Sequence, residues 1–483
     1  MSSDDSDRRE QGIEVSGRAR VGKIIQVGKI VQLFDEKVFR RLGLEVRVGF
    51  ALLSILVVGS AIALYAALHP QISDHMTGDF RIAVAGFAEI GNSGSSRIGM
   101  ELAQGVYLRL EQTFDELDLD ITVTTWGPDQ VERFGVIDGE SVDERARSAA
   151  RIADAIKADV IVYCLVDTTD AIWQVTPEFY VSAGNFYEAE EIIGQHALGA
   201  SFPIAGEGGI ADRITVSSEW TSRVQVLSRI TVGLAYYSVR NFDQALTTFQ
   251  AAEGIEGWDD SEGKQVLYLL IGNAAGKIAA LKYRDAVEQS EALRSNEILR
   301  TSEDLRLAET YYQKSSALDA EYARAYVGLA SVYYMQALTP FLETMEPADA
   351  DSDKVRLSIA TYQKAPKAAH QPPLSDISTK VHFGLGQCHF MLVYSGNAEY
   401  FNPAIAEFEA VIEEYADGDN PRVRELAAES YARLALIYKL SGHPDWAVEK
   451  YEMAASLLQD NPDRRYLFQE RAQTIKNDVG GTQ

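Results

Sequence analysis

Residues 226–252 read VLSRITVGLAYYSVRNFDQALTTFQAA, and residues 428–454 read AESYARLALIYKLSGHPDWAVEKYEMA. Counted from the first residue of each stretch, small side chains stand at places eight, twenty and twenty-seven, and bulky ones at seven, eleven and twenty-four. In the first stretch these are Gly233, Ala245 and Ala252 beside Val232, Tyr236 and Phe249. In the second they are Ala435, Ala447 and Ala454 beside Leu434, Tyr438 and Tyr451. Residues three, four and seven apart share one face of a helix, so each stretch predicts two helices joined by a turn. Helices that cross closely need a small residue at the crossing and a large one to fill the space next to it.

Three further units carry the spacing with interruptions. Ile271 and Gly272 match Ala308 and Tyr312 after an excess of about 24 residues over the uninterrupted spacing. Leu329, Ala330 and Tyr333 match Tyr362 and Ala365, and Leu385 and Gly386 match Ala404 and Phe408. Five helical pairs are therefore expected within residues 218–483, closed by a capping helix near residues 464–476. The pattern resembles the tetratricopeptide repeat family, whose unit is a helical pair of roughly 34 residues. The resemblance covers about half of the chain, residues 226–462. It implies an α-solenoid, a superhelix whose concave face holds a peptide or another protein's helix, with neighbouring repeats sharing one core. The interruptions depart from the family pattern and make the concave groove irregular.

Residues 79–217 read as a small α/β domain. Apolar runs at 81–87 (RIAVAGF), 121–126 and 159–166 alternate with helical patterns at 98–114 and 142–156, the latter opened by Ser141 with Glu144 three residues on. Alternation of this kind argues for a mostly parallel sheet with helix cover. Residues 171–182, with Pro177, are expected at an exposed edge. This arrangement resembles the amino-terminal domain of the TolB translocation protein, which implies a docking module and not an enzyme.

Residues 48–68 (VGFALLSILVVGSAIALYAAL) hold no charge and are long enough to cross a bilayer as a single transmembrane helix. Before them lie Lys29, Lys37, Arg40, Arg41 and Arg47; in the 20 residues after them, only Arg81. That asymmetry predicts a cell-membrane protein, single-pass, with residues 1–47 as a cytoplasmic tail and the later domains extracytoplasmic. The tail repeats VGKIIQ as VGKIVQ over residues 21–32. Its tetrad Ile25, Gln26, Val27 and Gly28 resembles the RHIM amyloid signalling motif, which implies homotypic β-stacking. The alternative is a basic juxtamembrane segment on anionic lipid through Lys23, Lys29 and Lys37.

Net charge is −26 over 483 residues, and residues 1–47 carry a net of +2 against −28 beyond them. Such a surface repels phosphate backbones, so nucleic acid is excluded as a partner class. Two cysteines, Cys164 and Cys388, are too few for a disulfide framework. The loop GNSGSS at 91–96 lacks the lysine and the spacing of a phosphate-binding loop. His382 and His389 share a helix face without the further ligands that a metal would need. No Ser/His/Asp order or other catalytic constellation stands out, so no catalytic residue, metal or cofactor is expected.

The expected function is a protein-interaction scaffold or receptor, membrane-anchored through residues 48–68, whose array binds a protein or peptide with a basic surface. Homo-oligomerisation is a further expectation. A second reading is a transmembrane signalling component that senses a small ligand in the α/β domain and clusters through its tail.

Overall fold

The computed structural model describes residues 75–480 except 91–95, 117–120, 170–171, 185, 187–190, 200, 206–217, 257, 259–262, 288–290, 371–376, 419–420 and 460. These residues belong to one compact unit, 74–483. The chain is mostly helical, with a small sheet domain followed by helical repeats.

The sheet domain contains β1 Phe80–Val84, β2 Ala88–Glu89, α1 Arg97–Asp115, β3 Val123–Trp126, α2 Pro128–Val131, α3 Val142–Ile156, β4 Val160–Asp167, β5 Ile172–Val181, β6 Gly194–Ala197 and β7 Phe202–Ala205. Strand order is β3-β1-β4-β5-β6, with β2 also on β4 and β7 also on β5. β1 runs parallel to β3 and β4, but β4–β5, β5–β6 and β5–β7 are antiparallel. The sheet is therefore mixed, not mostly parallel.

β5 is also interior and not an exposed edge. Pro177 is tolerated there for a geometric reason. Ser182 N donates to Asp159 O on the β4 side, and alternate residues of an antiparallel strand turn their N–H groups to opposite sides. Pro177, five residues earlier, thus faces the other neighbour, at the point where that neighbour changes from β6 to β7. No ladder donor is lost.

Period-two alternation splits the strands between two cores. Phe80, Ile82 and Val84 of β1 and Val160, Val162 and Cys164 of β4 face one side; Ala83, Ile161 and Tyr163 face the other. The second side is covered by α3 through Ala149, Ile152, Ala153 and Ile156. Ser141 caps α3 reciprocally with Glu144, each accepting from the other's backbone N–H at 3.2 Å. Arg145 of α3 pairs bidentately with Glu178 of β5 at 3.0 and 2.6 Å inside this layer.

The first side is covered by α1 and by the helical array itself. The array comprises α4 Ser218–Ser238 with α5 Phe242–Glu253, α6 Lys264–Val287 with α7 Glu291–Leu318, α8 Ala323–Thr344 with α9 Ser352–Tyr362, α10 Ile377–Tyr394 with α11 Phe401–Gly418, α12 Pro421–Leu440 with α13 Pro444–Leu457, and α14 Pro462–Gly480. One apolar cluster runs from Phe80 and Phe179 of the sheet through Phe186 to Trp220, Tyr237, Phe249 and Tyr312 of the array. Phe186 packs edge-on to Phe80 at 6.3 Å and lies 6.2 Å from Tyr237. Burial of such rings is the main source of cohesion between the two parts.

The expected fold class and localisation need correction. No helix among the described residues is long and apolar enough to cross a membrane. Even the long α6 carries Lys277, Lys282 and Arg284 within its 24 residues. This finding stands against a single-pass membrane protein with extracytoplasmic domains; residues 48–68 themselves lie outside the described residues, as does the tetrad Ile25–Gly28.

Candidate functional site

The helical pairs nest through small residues set against rings. In the first pair, a Cβ on Gly233 of α4 would come within 2.2 Å of the Phe249 ring of α5. Ala245, Phe249 and Ala252 are fully enclosed, Val232 is buried and Tyr236 half-buried. In the second pair a Cβ on Gly272 would stand 3.0 Å from the Tyr312 ring, whose hydroxyl donates to Asn273 Oδ1 at 2.9 Å. Ile271 and Ala308 are enclosed beside them. The excess residues of this unit are absorbed by helix length, since α6 and α7 run 24 and 28 residues.

In the third pair, Ser358 Oγ donates to the Ala330 carbonyl at 2.7 Å, and Leu329, Tyr333, Tyr362 and Ala365 are buried. Its excess lies in the end of α8, past Pro340, and in a short 3-10 turn at Pro347–Asp349. In the fourth, a Cβ on Gly386 would meet the Phe408 ring at 2.8 Å, with Leu385 and Ala404 buried around it. In the fifth, Leu434, Ala435, Ala447, Tyr451 and Ala454 are buried and Tyr438 is half-buried.

Two residues missed in the sequence complete the stacking. A Cβ on Gly328 would come within 2.2 Å of the Tyr312 ring, and one on Gly384 within 2.2 Å of the Tyr362 ring. Tyr312 and Tyr362, each on a second helix, therefore also touch the first helix of the next pair. Both glycines stand two residues before the small residue of their own unit, Ala330 and Gly386, a regularity that was legible.

The first helices share a face, and that face holds the outer edge of β6. Arg324, near the start of α8, is fully enclosed. Its Nη1 donates to the Glu191 carbonyl at 3.0 Å, and its Nη2 to the carbonyls of Ile193 at 2.8 Å and Gln195 at 3.2 Å. Among the described residues β6 pairs with β5 alone, and one guanidinium satisfies a row of carbonyls along its other edge and the residues just before it. Lys380 occupies the matching place in the next unit, six residues before Gly386 as Arg324 is six before Ala330. Its ammonium lies 2.5 Å from Glu191 Oε1. Arg223 of α4 donates to the Leu198 carbonyl, and Gly263, at φ +88°, lets the backbone before α6 approach Gly199 where a Cβ would stand 2.5 Å from its nitrogen.

Electrostatics of this cradle follow from burial. Desolvation pushes the Glu191 carboxyl up, but the Lys380 ammonium, helped by Lys277, holds it below the usual carboxylate range. His196 Nε2 lies 2.7 Å from the Ile192 carbonyl, and Arg324 Nη1 stands against the same ring, 2.5 Å from Nε2 and 3.1 Å from Nδ1. Burial, with the Arg324 charge next to it, holds the His196 imidazole well below its ordinary value, so it is neutral.

The last pairs are more open. Trp446 is 52% exposed, stacks on His443 at 4.5 Å and meets Tyr438 edge-on at 5.4 Å. Tyr394, Leu440, Tyr466 and Leu467 are also exposed. Between α13 and α14 lies a polar cleft of about 790 Å³ lined by Glu452, Ser456, Gln459, Arg465, Gln469 and Lys476 among others.

Elsewhere the side chains are structural. His382 Nδ1 pairs with Glu407 at 2.7 Å while His389 stacks on Tyr400, and no group of metal-ligating side chains occurs among the described residues. Cys164 is enclosed, and burial pushes the Cys388 thiol up to about 12, where it donates to Ser358 Oγ at 3.3 Å.

No protein-family model and no curated protein matches the chain, so the TolB-type and RHIM-type resemblances gain no support. Among solved structures, a thermophilic TPR protein of Thermus thermophilus is similar to it, with 15% identity over 52% of this chain and 99% of the other at a TM-score of 0.34. The helical-repeat architecture rests on the nested pairs described above.

Proposed function

We propose that this chain is a non-catalytic protein-interaction scaffold of tetratricopeptide type, whose early pairs carry the sheet domain as a fixed module and whose late pairs receive a protein or peptide partner. The observation that supports this most is the division of surface along the array. The first-helix face of pairs one to four is covered by the sheet domain through Arg223, Arg324 and Lys380, whereas Tyr394, Leu440, Trp446 and Tyr466 stand exposed beyond it. Exposed rings such as Trp446 and Tyr466 are apolar surface that another polypeptide can bury. The surrounding surface is acidic, as in Glu407, Glu409, Glu413 and Glu414 of α11, which favours a partner with a basic rim.

The test is photo-crosslinking in the native host from single positions of the full chain. Positions 440, 446 and 466 are expected to capture one protein in a salt-sensitive manner, while position 172, exposed on the sheet domain, captures none. Capture of a second copy of this chain would indicate homo-oligomerisation instead. Capture mainly from position 172 would overturn the reading.

A further inference from the structure

Apart from the Arg324 contact with the His196 ring, the contacts described for Arg324 and Lys380 are made to chemistry that any extended chain can present. Three are main-chain carbonyls at alternate residues, and one is a carboxylate. Strand edges repeat such carbonyls every second residue, so this backbone part of the recognition depends little on the side chains between them. Arg324 and Lys380 stand at matching places in consecutive units, which sets their spacing along the array.

We propose that this pair forms a peptide site for an extended segment carrying one glutamate, and that β6 with Glu191 is its resident occupant. This deepens the scaffold reading, on which it rests, by naming a second interaction surface and the partner chemistry that fits it. A strand of the same chemistry competes with β6, and the sheet domain is the group that such a partner loosens. β6 is suited to exchange: it is four residues long and, among the described residues, pairs with β5 alone. The cost is the burial of Ile192, Ile193 and Leu198 in the shared core and the stacking of His196 on Phe179, which a competing segment must replace with apolar side chains of its own.

The probe is a fluorescein-labelled peptide EIIGQHAL, the sequence of residues 191–198. Full-length chain carrying Glu191→Gln, whose own strand has lost its ion pair, is expected to bind it at least about tenfold more tightly than the unaltered chain, as loss of one charge-assisted hydrogen bond implies. Adding Arg324→Met to that variant removes the binding, and a peptide with glutamine in place of its glutamate binds at least about tenfold more weakly. In unaltered chain, millimolar peptide is expected to accelerate amide exchange at Gly194–Ala197, a readout that needs no variant. Binding indifferent to Arg324→Met, or no binding to the Glu191→Gln chain together with unchanged exchange, overturns the proposal. Crosslinking at position 446 is independent of this site, so failure here with crosslinks intact removes the peptide site alone.

Discussion

Arg324 donates to the Ile193 carbonyl at 2.8 Å across 131 residues of sequence, and in doing so the array takes the place of the next strand at the edge of the sheet. An unpaired strand edge is a site for unwanted pairing, and a buried guanidinium closes it at the expense of its own desolvation.

Replacing that guanidinium leaves three carbonyls without a donor. Arg324→Met is therefore expected to lower the unfolding free energy by about 3 kcal/mol, measured by chemical denaturation followed by tryptophan fluorescence. Arg324→Lys is expected to recover less than half of the loss, because one ammonium cannot span carbonyls at three alternate residues. A full recovery would show that charge alone matters there.

Glycines in the array separate into two kinds. Gly233→Ala drives a Cβ to 2.2 Å from the enclosed Phe249 ring and is expected to destabilise by about 1–3 kcal/mol. Gly276, inside α6, has nothing within 4 Å of its would-be Cβ, and Gly276→Ala is expected to stabilise by about 0.5–1 kcal/mol through helix propensity. Thermal unfolding of the two variants checks both signs.

Two histidines give opposite pH dependences. His196 is held below its ordinary value, so the stability it contributes is present above the unfolded value of about 6.5 and is lost as pH falls toward the folded value. His382 is raised by the hydrogen bond from its ring to Glu407, so its contribution is present below about 6.5 and is lost as pH rises through the folded value. His382 is partly exposed and its effect is the smaller one. Stability of the unaltered chain is expected to fall between about pH 6.5 and 5, and His196→Gln is expected to flatten that fall, while His382→Gln is expected to remove a smaller loss as pH rises above about 6.5. Glu191 acts lower, its contribution being lost as pH drops through its depressed folded value. Urea midpoints across this range give the measurement.

Trp446 separates binding from folding. Its ring is half exposed and touches only Tyr438 and His443 among the described ring contacts, so Trp446→Ser is expected to change stability by less than about 1 kcal/mol. Exposed tryptophans that partners bury are frequent anchors, and affinity for the crosslinked partner is expected to fall at least about tenfold. Equal affinity in a titration would place the partner elsewhere.

The nested pairs were legible in the sequence because their contacts are local: Gly233 and Phe249 lie in one stretch, and the period of small and large residues records their meeting. The α3 cap at Ser141 and Glu144 was legible for the same reason. The cradle was not. Its acceptors are backbone carbonyls 129 to 133 residues from Arg324, and a carbonyl carries no signature in sequence. Pro177 misdirected the placement of β5, since a proline marks a missing donor without saying which neighbour needs it. The mixed sheet followed from that: its antiparallel half is β5 with β6 and β7, and the last two, four residues each, are too short for a periodic signal.

Sheet domain and array form one body sealed along β6. Native-state amide exchange of the full chain tests it most directly. Without added peptide, Gly194 and His196 are expected to exchange as slowly as residues of α4. Exchange of these two amides within seconds, with α4 still protected, would contradict it.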